Sequence, residues 1–553
     1  MSYSIKKLAA YIVPVVFAAF SCAKQPQATQ TKATPATPAP GTTTFSSPRT
    51  YDANLAFGPD KVVELQRPES NKVIIKLMFK NGSVSDPAGK EGLTYTTAQL
   101  LTESGTQTLT QAQIKDKLYP MAAHYGVHVD KEVTTMTFAV HQDFLKEFYE
   151  VVRGIILTPA FAEEDFKRVI SNQQNYVDQV IRASSDEEYS KKALEDLLFR
   201  GTNYQHTPEG TSAGVKNITL EDVKNHYRNF FTRHNVMLGI AGNYSSEFLN
   251  QLKQDVAQLP DTRPNLPAAG RPNQPNGIQV EIIKKSDALG SAIFTGSPMP
   301  ITRTADEFAA LMVANSYLGE HRKSYGKLYD KIRSTRSMNY GDYSYIEWYD
   351  NGGSNMLPNP GVPRTSNYFA LWIRPVQIAE GLRKQYPELK DVTVGHAHFA
   401  LRLAIREVDN LIRNGMTPED FELTRKFLRS YMKLYIQTEE KQLGFLMDSK
   451  FYGREDYLQE MDALLEKLTV DDVNNTIKKY WQVNNIFVTI VTDDSEAEPL
   501  AEALRKNTPS PMSYSNLVKE GLPEEVVAED NIIANYQLNI KDVKVVDSQD
   551  TFQ

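Results

Sequence analysis

The chain has 553 residues, which is too long for one compact domain. With 41% hydrophobic and 23% charged residues, its composition is that of an ordinary globular protein. Lysine and arginine number 61 against 68 acidic residues, and a formal net charge of −7 argues against nucleic acid as a partner, because phosphate binding needs a basic excess. The single cysteine excludes an internal disulfide framework and any cysteine-rich metal site.

The N-terminus has the pattern of a secretion signal. Lys6 and Lys7 precede an apolar run over residues 8–20, which is too short to cross a bilayer that needs roughly 20 residues. Residues 19–22 resemble a bacterial lipoprotein cleavage site, which predicts that Cys22 becomes a lipidated residue; an ordinary cleaved signal is the alternative. We therefore expect a lipid-anchored protein of the bacterial cell envelope, on the periplasmic side or at the outer membrane.

Residues 23–50 predict a tether. They contain five prolines, eight threonines and no acidic residue, a composition with too few apolar side chains to form a core. We expect this segment to be disordered and to hold the folded body away from a membrane.

The rest of the chain contains an internal repeat. Residues 220–223 precede an apolar run at Val236, and residues 470–473 precede another at Ile486, so both landmarks recur 250 residues apart. Such an offset predicts a duplicated domain. The expected segments are an N-terminal domain over 51–259, a proline-rich linker over 260–277, a C-terminal domain over 278–505 and a tail over 506–553.

Each half mixes strand-like and helix-like periods. Residues 73–79 and 236–240 are short runs rich in β-branched and aromatic residues, as strands are. Apolar residues across 401–412 follow the spacing of an amphipathic helix that ends near Gly415, and a strand is predicted at 543–546. These segregated elements predict an α+β fold with a sheet covered by helices in each half.

The order of these elements resembles the insulinase/pitrilysin family of inverted zinc metallopeptidases. The resemblance rests on the order and spacing of Gly92-Leu93, Gly105-Thr106, Thr158-Pro159, residues 206–211 and residues 220–242. It implies two homologous domains, each a mostly antiparallel sheet covered by helices, arranged as a clamshell.

The resemblance also implies a zinc site that this sequence lacks. The family binds zinc through His-x-x-Glu-His on its first helix and a second glutamate further along. Here Tyr95, Ala98 and Gln99 stand at the first histidine, the glutamate and the second histidine, and the distal glutamate falls near Asn175 or Tyr176. A phenol and an amide are poor zinc ligands and alanine has no basic group, so we expect no metal and no catalytic residue in this chain.

Other patterns offer weak alternatives. His124 and His128 are four residues apart but lie in a region that reads as strand, where that spacing does not converge on one metal. His396 and His398 have no identifiable acidic partner. Residues 210–214 match Gly-x-Ser-x-Gly but follow a loop, whereas the hydrolase motif needs a strand before it. An active enzyme with relocated ligands is therefore the third choice.

A substrate-binding pair survives in the second half. Arg336 and Tyr340 resemble the family segment in which an arginine and a tyrosine hold the peptide backbone across the chamber from the zinc, and Arg333 is an alternative base. The resemblance therefore implies a degenerate, non-zinc subunit that binds peptide for a zinc-bearing insulinase-family partner. The alternative is a catalytically inactive peptide-binding or scaffold lipoprotein.

Overall fold

A computed structural model describes residue 45, residues 50–349 and residues 357–553. The predicted signal peptide, the lipidation site Cys22 and most of the predicted tether lie outside the described residues. In the described ranges, no helix is both long and apolar enough to cross a membrane.

The first half contains one sheet and a set of helices. Its strands are β1 (Val62–Gln66), β2 (Lys72–Phe79), β3 (His124–Val129), β4 (Thr134–His141) and β5 (Val236–Gly242). Its helices are α1 (Leu93–Glu103), α2 (Gln111–Leu118), α3 (Leu145–Leu157), α4 (Glu163–Asn175), α5 (Ile181–Ala183), α6 (Asp186–Leu198), α7 (Ser212–Lys216), α8 (Leu220–Phe230) and α9 (Ser246–Val256). A π-helical turn, Tyr176–Val180, joins α4 to α5.

The second half repeats this plan. Its strands are β6 (Ile278–Lys284), β7 (Ser291–Pro298), β8 (Asp342–Tyr345), β9 (Tyr368–Val376), β10 (Ile486–Thr492) and β11 (Ile540–Asp547). Its helices are α10 (Phe308–Gly319), α11 (Ala379–Gln385), α12 (Ala397–Asn414), α13 (Pro418–Tyr431), α14 (Glu439–Phe451), α15 (Tyr457–Lys467), α16 (Val470–Tyr480), α17 (Asp494–Arg505), α18 (Asn516–Glu520) and α19 (Glu524–Ala534). A second π-helical turn, Tyr329–Ser334, precedes β8.

The two sheets share strand order and direction. The first runs β1-β5-β2-β4-β3 and the second runs β6-β10-β7-β9-β8, with β11 added outside β6. In both, the first pair is parallel and the remaining pairs are antiparallel. The expected α+β fold of two homologous domains with mostly antiparallel sheets is therefore confirmed.

Local sequence explains the repeated elements. Thr219 caps α8 and Thr469 caps α16, each in a capping box with an aspartate three residues later. The strands that follow, β5 and β10, start 250 residues apart and every residue of both is buried. The predicted amphipathic helix is α12, which ends where Gly415 adopts a φ of +70°.

The halves exchange helices across their interface. Helix α6 of the first half packs on β7 and β10 of the second sheet, with Leu194 buried beside Phe294. Reciprocally, α14 of the second half packs on β5 and β1 of the first sheet, with Met447 buried beside Met237. Each sheet therefore has helices of its own half on one face and a helix of the other half on the opposite face.

A buried ion-pair network reinforces this interface. Arg364, in the loop before β9, donates to both carboxylate oxygens of Asp130 at 2.8 and 3.0 Å and to Glu195 of α6 at 2.8 Å. Lys131 lies 3.6 Å from Glu195. Burial raises the pKa of Glu195, but Arg364 and Lys131 together hold that pKa well below its ordinary value. The Glu195 carboxylate therefore stays charged, and its ion pair with Arg364 links the two halves.

Residues 506–553, set apart above as a tail, belong structurally to the second half. They form α18, α19 and β11, and β11 pairs in parallel with β6 along the edge of the second sheet. The strand expected at residues 543–546 lies within β11. The linker between the two halves, residues 260–277, contains no helix or strand.

Candidate functional site

Helix α1 carries the positions at which the resemblance implies zinc ligands. It begins after Gly92, whose φ of +105° is left-handed and whose N–H donates to the Asp86 carboxylate at 2.7 Å. Tyr95 and Gln99 lie one turn apart on a half-buried face, whereas Ala98 is fully buried in the core of the first half. The half-buried face therefore offers a phenol and an amide.

A group of polar side chains, here called the tyrosine cluster, lies at this face. It consists of Tyr95, Tyr176, Lys192 and Glu209. Lys192 Nζ lies 3.5 Å from Glu209 Oε2 and 5.8 Å from the centre of the Tyr176 ring. Burial, followed by the charge of Glu209, raises the pKa of both phenols. Burial lowers the pKa of Lys192, but Glu209 and Tyr176 more than offset this, so a fixed positive charge stands in the cluster.

Zinc does not fit this set of side chains. Neutral phenols and an amide are poor ligands for the ion, and the Lys192 ammonium opposes a second positive charge nearby. In the part of the chain that the structure describes, no group of three or more His, Cys, Asp or Glu residues is placed to hold a metal ion. No hydrolytic step through zinc can be built on these residues.

The alternative sites also fail on geometry. His124 and His128 both lie exposed on β3, and four residues of strand separate them by about 13 Å, too far to share a metal ion. His396 contacts the carbonyl oxygen of Ser513 at 3.0 Å, and burial lowers the pKa of His398 to about 3. Ser212 begins the short helix α7 after a turn-containing loop rather than a strand, which removes the nucleophile-elbow interpretation.

Strand β3 is an edge strand beside α1, with no second strand partner among the described residues. It pairs with β4 on one side, and α1 packs close to it. A groove of about 290 Å³ follows the opposite face of this edge, lined by Thr135 and Thr137 of the sheet and by Pro360 and Val362 of the second half. Unpaired backbone groups along such an edge can bind an extended polypeptide.

The structure places Arg336 and Tyr340 in different environments. The Arg336 side chain is 0% exposed and donates to Asp530 at 2.7 Å and to Glu529 at 2.8 Å. Its guanidinium is therefore engaged inside the second half and is not free to hold a peptide carbonyl. Tyr340 is 78% exposed, and the guanidinium of half-buried Arg333 lies 4.8 Å from its ring centre. Arg333 is the available base next to Tyr340.

Sequence reasoning missed Lys192, Glu209, Glu529 and Asp530. Glu209 lies inside residues 206–211, one of the segments that carry the resemblance. The sequence therefore marks the position of Glu209 but does not show which cation pairs with it. The acidic pair lies almost 200 residues after Arg336 and has no motif around it. Only the fold brings these charges together.

Comparison with known families identifies the class of this chain. The domain described as Insulinase (Peptidase family M16) matches residues 61–212, and the domain described as Peptidase M16 inactive domain matches residues 217–357. The two matches cover more than half of the chain, which belongs to the insulinase family, peptidase family M16. In this chain the residues that would bind zinc and act as general base in that family are replaced by Tyr95, Ala98 and Gln99.

Individual relatives agree with this assignment. The "Non-peptidase homolog YmxG" of Helicobacter pylori is 20% identical over 425 residues, 76% of this chain and 88% of that protein. The crystal structure of a peptidase M16 inactive domain from Pseudomonas fluorescens superposes with a TM-score of 0.66 at 17% identity, covering 78% of this chain and 95% of that one. A chain of complex III2 from Candida albicans superposes with a TM-score of 0.59 at 11% identity, covering 78% and 93%. The structural likenesses show the shared fold.

Proposed function

We propose that this protein is the substrate-binding, non-zinc subunit of a heteromeric insulinase-type peptidase in the bacterial cell envelope. One observation carries the proposal: the residues at zinc positions 95, 98 and 99 are all replaced (Tyr95, Ala98 and Gln99), while the neighbouring edge strand β3 has a free side in the described part of the chain. A chain that keeps the peptide-binding surface without the metal needs a partner to supply hydrolysis.

Strand β3 would bind the peptide by strand addition. The backbone groups on its free side give affinity that is independent of sequence, and the adjacent groove receives alternate side chains. Tyr95 and Gln99, on the half-buried face of neighbouring α1, are neutral hydrogen-bonding groups suited to peptide carbonyl and amide groups. None of these contacts requires a metal.

Arg333 and Tyr340 would bind the peptide backbone from the second half. Tyr340 lies two residues before the start of β8, the edge strand that corresponds to β3. A guanidinium and a phenol in contact can hold a carbonyl oxygen that gains negative charge when a partner's zinc site attacks it. Arg336 would instead hold the second half together, since its charge is already paired.

The envelope location depends on Cys22 and the tether behind it. A lipid on Cys22 would anchor the chain, and the proline- and threonine-rich segment would give the folded body reach from the membrane. Replacing Cys22 by serine is expected to release the protein into the soluble fraction. Retention of that variant in the membrane pellet would reject the lipid anchor.

Reconstitution tests the function. The chain is mixed with insulinase-family proteins that carry an intact His-x-x-Glu-His, and cleavage of quenched peptides is measured. We expect one pair to exceed either component alone by at least about tenfold, and Arg333→Gln with Tyr340→Phe to remove most of that gain. Tyr386→Phe, at the half-buried end of α11, is the matched control. No gain with any such partner would reject the proposal.

A catalytically inactive peptide-binding or scaffold lipoprotein is the second candidate. The enclosed guanidinium of Arg336 favours it, because one of the two side chains expected at the peptide is used for structure. This candidate predicts peptide binding at β3 with unchanged affinity in Arg333→Gln/Tyr340→Phe and no gain of cleavage with any partner.

A further inference from the structure

A second open edge of the first sheet borders a large groove. Strand β1 forms the edge opposite β3 and pairs only with β5 in the described chain. Beside it lies a groove of about 580 Å³ between β1, α14 and α15. Its apolar lining includes Leu65, Ile436, Leu446 and Leu458. Three basic and three acidic residues also line it: Arg67, Arg429, Lys433, Asp456, Asp462 and Glu466. Its volume is in the range of protein sites that enclose a ligand group.

The equivalent place in the second half is filled. There, β11 pairs in parallel with β6 over its full length. The residues that follow β11 turn onto α6, where the rings of Phe552 and Tyr189 lie 5.6 Å apart and Ile283 and Ala193 complete one apolar cluster. The Phe552 carbonyl also accepts a hydrogen bond from the Ser212 N–H at 3.2 Å.

Strand register shows that the two places correspond. Leu65 pairs with Ala241 in the first sheet and Ile283 pairs with Val491 in the second, and Ala241 and Val491 are 250 residues apart, as β5 and β10 are. Leu65 is thus the counterpart of Ile283.

The exchanged helices correspond in the same way. The caps of α6 and α14, Ser185 and Thr438, are 253 residues apart. The same offset relates Ala193, which contacts the Phe552 cluster, to Leu446, which lines the groove. The groove therefore corresponds to the place that β11 and Phe552 fill in the second half, and no described strand of the first half fills it.

We propose that this groove binds an extended segment of a partner protein, which adds to β1 as a parallel strand and inserts an aromatic side chain between Leu65 and Leu446. The pattern is that of β11 and Phe552 in the second half. A segment added to β1 would lie on the opposite edge of the sheet from β3, so this interaction does not depend on the proposed peptide site.

The predicted tether is a poor candidate for the occupant. Residues 23–44 contain no aromatic residue and no valine, leucine, isoleucine or methionine, and Phe45 packs against the core of the second half. Arg67 donates to Gln442 at 3.2 Å and has no carboxylate at ion-pair distance among the described residues. An acidic residue near the aromatic one would complement this free charge.

A peptide display screen tests the inference. A random 12-residue display library is selected on the full chain alone, and the recovered peptides are then measured on the chain and on a Leu446→Arg variant that took no part in the selection. We expect enrichment of an aromatic residue flanked by acids, at least about tenfold weaker binding to Leu446→Arg, and hydrogen-exchange protection of residues 62–66. Leu423→Arg, an exposed site on α13 outside the groove, is the control and should bind normally.

Three results would overturn the proposal. The first is recovered peptides that bind Leu446→Arg as well as the original chain, with Ile436→Arg repeating the test should Leu446→Arg unfold. The second is protection of β3 instead of β1, which would assign the binding to the other edge. The third is a concentration-dependent dimer abolished by either groove variant, because the occupant would then be a second copy of this chain.

Discussion

The Nε atom of Arg336 donates to Oδ1 of Asp530 at 2.7 Å, and this contact joins the segment between the π-helical turn and β8 to α19 near the end of the chain. Glu529 adds a second carboxylate to the same guanidinium and also contacts Lys331 at 2.9 Å. The arginine that the family resemblance implies for substrate is therefore the centre of an internal ion-pair network.

Removing Arg336 should destabilise the fold. Arg336→Ala leaves Asp530 beside an apolar core without its cation and removes one cation from Glu529, which keeps Lys331, and we expect the free energy of unfolding to fall by about 3 kcal/mol. Urea denaturation followed by circular dichroism measures the change. Arg333→Ala, next to exposed Tyr340, should change stability by less than about 1 kcal/mol. If Arg336→Ala left stability unchanged but abolished peptide binding, Arg336 would be a substrate-binding residue and not a structural one.

The interface network gives a second stability test. Arg364→Gln leaves Asp130 and Glu195 buried without their shared cation, so we expect a loss of about 3 to 5 kcal/mol in one cooperative transition. Adding Asp130→Asn should recover part of that loss, since the unpaired charge of Asp130 is then gone while Glu195 keeps its contact with buried Lys131. Two separate unfolding transitions in Arg364→Gln would contradict this expectation, because the coupling of the halves would then depend on this network alone.

Placing histidines on α1 should create a weak metal site without activity. Tyr95→His/Gln99→His presents two imidazoles one turn apart on the half-buried face, and we expect Zn²⁺ binding by calorimetry where Gln99→His alone shows none. Adding Lys192→Met should tighten binding by about tenfold, because it removes a nearby positive charge. Peptide hydrolysis should remain absent, since Ala98 supplies no base; cleavage by the double variant would contradict this account of the site.

Acid should weaken the attachment of α1 through His226. This side chain of α8 lies 3.1 Å from Thr94 Oγ1 and 3.2 Å from Asn81 Nδ2, and burial lowers its pKa from 6.5 to about 4. In this pH window the unfolded chain binds the proton and the folded chain does not, so stability is complete above pH 6.5 and falls as the pH drops towards 4.

The size of the effect is on the order of 3 kcal/mol at most. Urea unfolding at pH 7.5 and 4.5 should show a smaller loss in His226→Asn than in the original chain, while the exposed-site control His128→Asn should match the original. Equal pH dependence in all three proteins would exclude His226 as the titrating group.

The duplication could be predicted because its signals are local. The same pattern occurs at Thr219 and at Thr469: a capping threonine, an aspartate three residues later and a buried strand at a fixed distance. Each copy of the pattern spans only some 25 residues of sequence. The lost zinc positions on α1 were readable for the same reason, since they lie within five consecutive residues.

Long-range partners could not be predicted in this way. The apolar stripe of α6 or α14 shows that a face is buried but not which sheet buries it, and here it is the sheet of the other half. The acidic partners of Arg336 are likewise set by how α19 packs. The role of Tyr340, the lipid on Cys22 and the zinc-bearing partner stay predictions.

The exchanged helices also determine when each half can finish folding during synthesis. The last strand of the first sheet ends at Gly242, but α14, which covers the face formed by Met237 and Met78, begins at Glu439. A ribosome adding about 5 to 20 residues per second therefore leaves this apolar face uncovered for roughly 10 to 40 seconds. A nascent first half would need a chaperone on that face, and truncation before α14 should yield aggregates rather than a stable domain.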